Sequence, residues 1–342
     1  MPNGRRYYLG VDIGGTTTAV VLGDETASSL ERVAFQTDHA KGPETVIGQI
    51  VQAAQRLAAD TTVETIGISC GGPLDSARGI VLGPPNLPGW DEVPVVDRLQ
   101  AAMGLPTFLE NDANAGALAE WRYGAGRGCR NVIFITAGTG LGCGLILDGR
   151  LYSGTNDMAG EAGHIRLAPT GPQGYGKQGS LEGFCSGAGI GRLAELRIQQ
   201  AHGEASILAE WTRGRAVTAR HVAQAARDGD TLARSVLRHA GERLGEGLAI
   251  LIDILNPELI VVGSLAVRLG ELYLGPAREV VAREALSRSS RVCRIVPAQL
   301  GERIGDVAAL CVAMRVGRSA GVTGPTAEHV RDGDCQRRPP ES

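Results

Sequence analysis

Acids, glycines and hydroxyls gather at a few points along this chain, and each gathering suits a different part of phosphoryl chemistry. The first is Asp12-Ile13-Gly14-Gly15-Thr16. Glycines let backbone N–H groups approach phosphate oxygens with no side chain in the way. Thr16 adds a hydroxyl donor, and Asp12, at the end of an apolar run, is placed to hold a hydrated magnesium ion. The second is Gly138-Thr139-Gly140-Leu141-Gly142, with similar donors and no acid. That division of charge suits the β- and γ-phosphates of one nucleotide. Either segment alone also reads as a plain hairpin turn. No GxxxxGK[ST] run occurs, which excludes a P-loop.

Glu110-Asn111-Asp112 stands where a strand pattern hands over to a helix pattern. A carboxylate there, Asp112, can take the proton of an attacking alcohol, and the helix N-terminus is expected to keep it ionised. Asp is also a preferred helix N-cap, so capping is the structural alternative. Farther on come Glu161-Ala162-Gly163-His164 and, past a Gly-rich loop, Glu182. Carboxylates and a neutral imidazole suit vicinal sugar hydroxyls. A lone Glu or His is usually surface or capping chemistry; the combination carries the reading.

The elements that must position these groups are legible from patterning. Residues 7–13 and 16–22 predict two strands around the first turn, and 31–36 continues the antiparallel meander. Pro43 opens an amphipathic helix expected to run through Asp60. Strands are predicted over 65–69, 79–82 and 106–109, with a loop over 84–89, and a helix follows Asp112 to about Tyr123. Residues 131–137 and 143–147 predict two more strands around the second turn. From 186 to 285 the pattern is helical, broken by one apolar strand at 259–263. VDIGGTTTAVVL and ITAGTGLGCGLIL share a strand–glycine turn–strand plan, which predicts a duplicated domain with both turns facing one cleft.

Composition narrows the class. The 342 residues suffice for two domains with sizeable cores. Aromatics make up 4% and the net charge is −3 with no long basic run, which argues against a nucleic-acid partner. Seven scattered cysteines without a CxxC pair suit reduced thiols in a cytoplasmic protein. No apolar run is long enough to span a membrane, and no signal-peptide core precedes the first strand. The last twenty or so residues read as a disordered tail.

Taken in order, LGVDIGGTTT, GISCGGPLDSARGIVLGPPNLPGW, LENDANAGALAEW, ITAGTGLGCGLILDGRLYSGTNDMAGEAGHI and the spacing to SLEG resemble the ROK family (repressor, open reading frame, kinase) of sugar kinases and regulators. The resemblance runs from about Tyr8 to about Val316. It implies an α/β, actin-like (ribonuclease H-like) fold of two domains with ATP between them. The expected division is 1–117 plus about 305–322, then 118–304, with 323–342 as tail. It implies Asp112 as catalytic base. Sugar contacts are implied from Gly71, Gly72, Asn86, Asn111, Asp112, Glu161, His164 and Glu182. Nucleotide contacts are implied from Asp12, Gly14, Gly15, Thr16, Gly138, Thr139, Gly140 and Gly263, with Mg²⁺ on Asp12 through water. A homodimer is implied as well.

Two departures from the family pattern carry expectations. The three cysteine positions of its zinc motif hold Gln173, Tyr175 and Ser180; one His cannot hold structural zinc, so none is expected. After the 259–262 strand the usual Gly-Gly-Gly run is Gly263-Ser264-Leu265, so Leu265 is expected to alter the nucleotide pocket. The expected activity is transfer of the γ-phosphate of ATP to a hydroxyl, the 6-hydroxyl, of a hexose such as glucose. An N-acylhexosamine or fructose kinase and a catalytically impaired sugar-binding regulator are the alternatives. A repressor would carry a helix-turn-helix ahead of the first hairpin, where only about six residues stand here. Retention of Asp12 and Asp112 argues against a pure binder.

Overall fold

The computed structural model describes residues 5–200 and 205–317. The expected tail at 323–342 lies outside the described residues.

Two five-stranded sheets share one topology. The first begins with β1 (Tyr7–Ile13), β2 (Thr17–Asp24) and β3 (Ser29–Gln36), an antiparallel meander. Helix α1 (Gly42–Leu57) then crosses to β4 (Val63–Cys70), parallel to β1. A small hairpin, β5 (Leu74–Asp75) and β6 (Ile80–Val81), and helix α2 (Val95–Met103) lead to β7 (Thr107–Asn111), parallel to β4. The order is β3-β2-β1-β4-β7. Helix α3 (Asp112–Tyr123) leaves this sheet for the second one.

There β8 (Val132–Ala137), β9 (Leu141–Leu147) and β10 (Arg150–Leu151) repeat the meander. The hairpin β11 (Gln173–Gly174) and β12 (Lys177–Gln178) follows. A helical region then spans α4 (Leu181–Cys185), α5 (Gly187–Gln200), α6 (Ile207–Trp211), α7 (Ala219–Arg227) and α8 (Thr231–Leu255). Strand β13 (Leu259–Val262) pairs parallel to β8. Helices α9 (Leu265–Leu269), α10 (Glu271–Glu284) and α11 (Ser287–Ser290) lead to β14 (Arg294–Pro297), parallel to β13. The order β10-β9-β8-β13-β14 matches that of the first sheet, as the repeated hairpin motif predicts. Helix α12 (Ile304–Ala313) ends the fold.

Three apolar layers hold this together. One lies between the first sheet and α1 and α2, another between the second sheet and its helices. The third lies between the sheets, built from α3, α12 and the inner faces of β1, β8 and β13. All four residues of β13 are buried, as expected of a parallel strand covered on both faces. Close approach in the middle layer depends on missing side chains. A Cβ on Gly67 of β4 would overlap the backbone of Ala313 on α12, and one on Gly144 of β9 would overlap the backbone of Ala113 on α3.

Patterning misjudged some elements. Helix α1 stops at Leu57, three residues short of the expected end, because its last buried residue is Leu57 and Asp60 lies in an exposed turn. Helix α2 was not expected. It buries only Val95 and Leu99, too few apolar positions to set a period.

Candidate functional site

The first glycine turn joins β1 to β2. Gly14 N–H donates to Thr17 O at 3.1 Å and closes the turn. Asp12, on the last turn of the strand, faces α12: a Cβ on Gly305 would overlap its carboxylate. Burial, and then the charges of Asp112 and Asp306, push the Asp12 carboxyl up from 3.8 to about 7, while Arg32 acts the other way. Arg32 Nε pairs with Asp306 Oδ1 at 3.0 Å. Asn86 packs behind the turn. A Cβ on Gly15 would lie 2.6 Å from its carbonyl oxygen, and one on Gly71 would lie 3.1 Å from its amide nitrogen Nδ2.

The junction of β7 and α3 settles which residue caps the helix. Asn111 is the N-cap: its Oδ1 accepts from the N–H of Ala113 at 2.9 Å and of Asn114 at 3.4 Å. Glu110 is buried and accepts from Asn111 N–H and Asn114 Nδ2, each at 3.0 Å. The capping alternative for Asp112 is therefore overturned. The expectation that the helix terminus keeps Asp112 readily ionised also needs correction. The amides of Ala113 and Asp112 do favour the anion, but burial outweighs them and raises the pKa. Its surface is accessible, yet protein encloses it at longer range, as at the floor of a cleft.

The second glycine turn joins β8 to β9 and is tied to α4 and α5. Gly187 N–H donates to Gly138 O at 2.7 Å, and Leu141 N–H donates to Glu182 Oε2 at 3.0 Å. Gly263 N–H donates to Ile135 O at 2.8 Å. Leu265 is buried in the core of the second lobe. Ser264, with φ of 47°, is the residue whose hydroxyl approaches Gly138, 3.9 Å from where a Cβ there would stand.

Glu161 connects the halves electrostatically. Burial raises its pKa, His164 opposes this, and Glu182 and Asp112 raise it further. Asp112 thus acts on both Asp12 and Glu161, and Glu161 in turn is influenced by His164 and Glu182. Asn111 sits against Gly72: a Cβ on Gly72 would lie 2.9 Å from Asn111 Nδ2. Gly138, Thr139 and Gly263 form a separate group on the second lobe, joined to the acids through Gly140, Leu141 and Glu182. The lobes also meet at Asp157 Oδ2, which accepts from Ser76 N–H at 2.8 Å.

Around the loop at 171–180, side chains hold His164 and Glu182 in place. The β11–β12 hairpin turns at Tyr175 and Gly176, both with positive φ. The Tyr175 ring meets the His164 ring edge-on, centroids 5.6 Å apart, and Lys177 Nζ donates to His164 O at 2.6 Å. Ser180 caps α4, accepting from Gly183 N–H at 3.1 Å, and so fixes the helix that carries Glu182. Arg192 donates to Gln173 O. Among the described residues, no three His, Cys, Asp or Glu side chains are grouped to cage a metal.

Sequence reasoning missed Asp306, Thr37 and His39, which stand in no motif and reach the site from distant positions. Glu110 and Ser264 stand in segments singled out above, but neither was given a role.

A duplicated strand order on two lobes, with helices α3 and α12 between them and acids facing one cleft, defines an actin-like ATPase fold of two domains. The chain belongs to the ROK family, whose sequence model matches residues 8–315. The glucokinase of Thermotoga maritima is 34% identical over 305 residues, spanning 89% of this chain and 96% of that protein. A ROK family glucokinase from Streptomyces griseus, solved with glucose and AMPPNP, superposes with a TM-score of 0.76 at 35% identity, covering 91% of this chain and 100% of that one. The ROK hexokinase from Thermus thermophilus gives 0.78 at 32% identity, covering 90% and 98%.

Proposed function

We propose that the chain is an ATP-dependent hexose kinase that transfers the γ-phosphate to the 6-hydroxyl of glucose, with Asp112 as general base. The observation that carries this is the release of Asp112 from capping: Asn111 holds the helix end, and the Asp112 charge is felt by both Asp12 and Glu161. The similarity to glucokinases over nearly the whole chain supports glucose as acceptor.

Each residue then has a task its geometry permits. Asp112 orients the primary alcohol and accepts its proton as the alcohol attacks. Asn111 Oδ1 is committed to the cap, so Asn111 serves the sugar as a donor through Nδ2. Glu182 Oε2 is held by Leu141 N–H, which leaves Oε1 for a ring hydroxyl. Glu161 and His164 take neighbouring hydroxyls, with Gly71, Gly72 and Asn86 lining the other side. The turns at Gly14, Gly15, Thr16 and at Gly138, Thr139, Gly140 receive the phosphates of ATP, with Gly263 on the adenosine side. Asp12, an acid crowded by other acids, would hold magnesium through water. When bound, it neutralises charge on the transferring phosphoryl group.

Zinc has no part in this reading. The division into 1–117 plus about 305–322 and 118–304, closing around the substrates, and a homodimer without nucleic-acid or membrane partners complete it. Among the described residues no helix is long and apolar enough to cross a membrane. An ADP-release assay over hexoses and N-acylhexosamines tests the proposal. Glucose is expected to give the highest kcat/KM; an N-acylhexosamine or fructose outperforming it would overturn the acceptor, and no ATP-dependent turnover at all would overturn the activity.

A further inference from the structure

The first glycine turn is gripped from behind by two residues that follow β3. Thr37 Oγ1 donates to Gly14 O at 2.7 Å, and Thr37 N–H donates to Thr16 O at 2.9 Å. His39 Nε2 lies 2.5 Å from Gly15 O. A carbonyl oxygen only accepts, so Nε2 must carry the proton. His39 itself is set in a short helical turn, His39–Lys41, that Asp38 caps by accepting from Ala40 N–H at 3.2 Å.

The consequence follows from the planarity of the peptide group. In a trans peptide the C=O of one residue and the N–H of the next point in opposite directions. Thr37 on Gly14 O therefore turns the Gly15 N–H away from β3, and His39 on Gly15 O does the same for the Thr16 N–H. Among the described residues neither amide has a hydrogen-bond acceptor. The other ring nitrogen of His39 is a second pointer. Nδ1 is buried with no hydrogen-bond partner, so among the described residues the ring's hydrogen bonding goes to Gly15 O alone, at the cost of an unsatisfied polar atom.

We propose that His39 is a positioning residue for the nucleotide: by holding the Gly15 carbonyl, it aims the Thr16 amide at a phosphate of ATP. This rests on assigning the Asp12–Thr16 turn to ATP. In this role His39 acts through the Gly15 carbonyl and not by contact with a substrate. It lies 24 residues from the carbonyl it holds, across β2 and β3.

Calorimetric binding of ATP, ADP and AMP with magnesium, on the native chain, His39→Ala and His39→Gln, separates the possibilities. One hydrogen bond accounts for a factor of about ten. His39→Ala is expected to weaken ATP and ADP by about that factor, to leave AMP binding and the KM for sugar unchanged, and to melt as a folded protein. His39→Gln, whose Nε2 can reach the same carbonyl, is expected to recover most of the loss. Equal weakening of ATP and AMP, or none, would overturn the role of His39, as would a glutamine variant as weak as the alanine one. A native chain that binds AMP as tightly as ATP would instead remove the phosphate role of the turn itself, and the proposal with it.

Discussion

Asp112 is separated by a single residue from losing its role. Asn111 Oδ1 accepts from the amides of Ala113 and Asn114, so Asp112 is not needed as the cap. Asp112→Asn is therefore expected to lower kcat by at least ~10²-fold, the scale of a lost general base, without lowering the melting temperature, since the buried charge it removes costs stability near neutral pH. A large fall in melting temperature would show that the residue is holding the helix after all. The same burial that raises its pKa sets the acid limb of the rate profile. A base works deprotonated, so kcat/KM should decline on acidification at a pH above the ordinary carboxylate range, and a profile flat down to about pH 4 would contradict this. The residue types and order of Glu110-Asn111-Asp112 were legible in the sequence, but which of the two capped the helix was not. Asn and Asp are comparable caps, and only backbone geometry chooses between them.

At the level of elements, side-chain contacts tie the β11–β12 hairpin to the segment that carries His164. Tyr175 is 62% exposed and adopts a positive φ that disfavours a side chain, yet its ring lies against His164. Tyr175→Ala should raise the KM for sugar about three- to tenfold with the KM for ATP unchanged, and Tyr175→Phe should behave as the native chain, since the contact is through the ring. His164→Ala should raise the sugar KM at least as much. If His164→Ala is effective and Tyr175→Ala is silent, the hairpin does not position the imidazole. The cysteine positions occupied by Gln173, Tyr175 and Ser180 announced a change in this loop, but not its replacement. The ring contact, the Lys177 donor and the Ser180 cap depend on the hairpin register, which a pair of two-residue strands does not declare in sequence. The long hairpins around both glycine turns were legible because each combines an apolar strand with a glycine break. Helix α2, with two buried residues, had no comparable signal.

For the molecule as a whole, the cleft concentrates acids that the fold must tolerate until substrates arrive. The folded-state pKa of Asp12 is about 7 against 3.8 when exposed, so between those values the folded state holds a proton that the unfolded chain lacks. Stability from this group is therefore greatest at low pH and is lost as pH rises toward 7. Asp112, also raised, acts in the same direction. Without substrates, the native chain should melt lower at about pH 8 than Asp12→Asn does, with the gap closing near pH 5, while Asp12→Asn loses kinase activity. Equal melting at both pH values would remove the claim that the acids crowd one another. The duplicated architecture was visible in the repeated hairpin motif, whereas the meeting of Asp12, Asp306 and Arg32 was not, since it joins the two ends of the chain. That joining also governs how the protein can be made. Gly67 leaves room on β4 for Ala313 of α12, and α12 covers the inner face of the first sheet. On a ribosome that face emerges early and its cover emerges about 250 residues later. The first lobe must therefore wait, with apolar surface open, until the second has been synthesised, and a chain released before α12 would leave that surface exposed to aggregation.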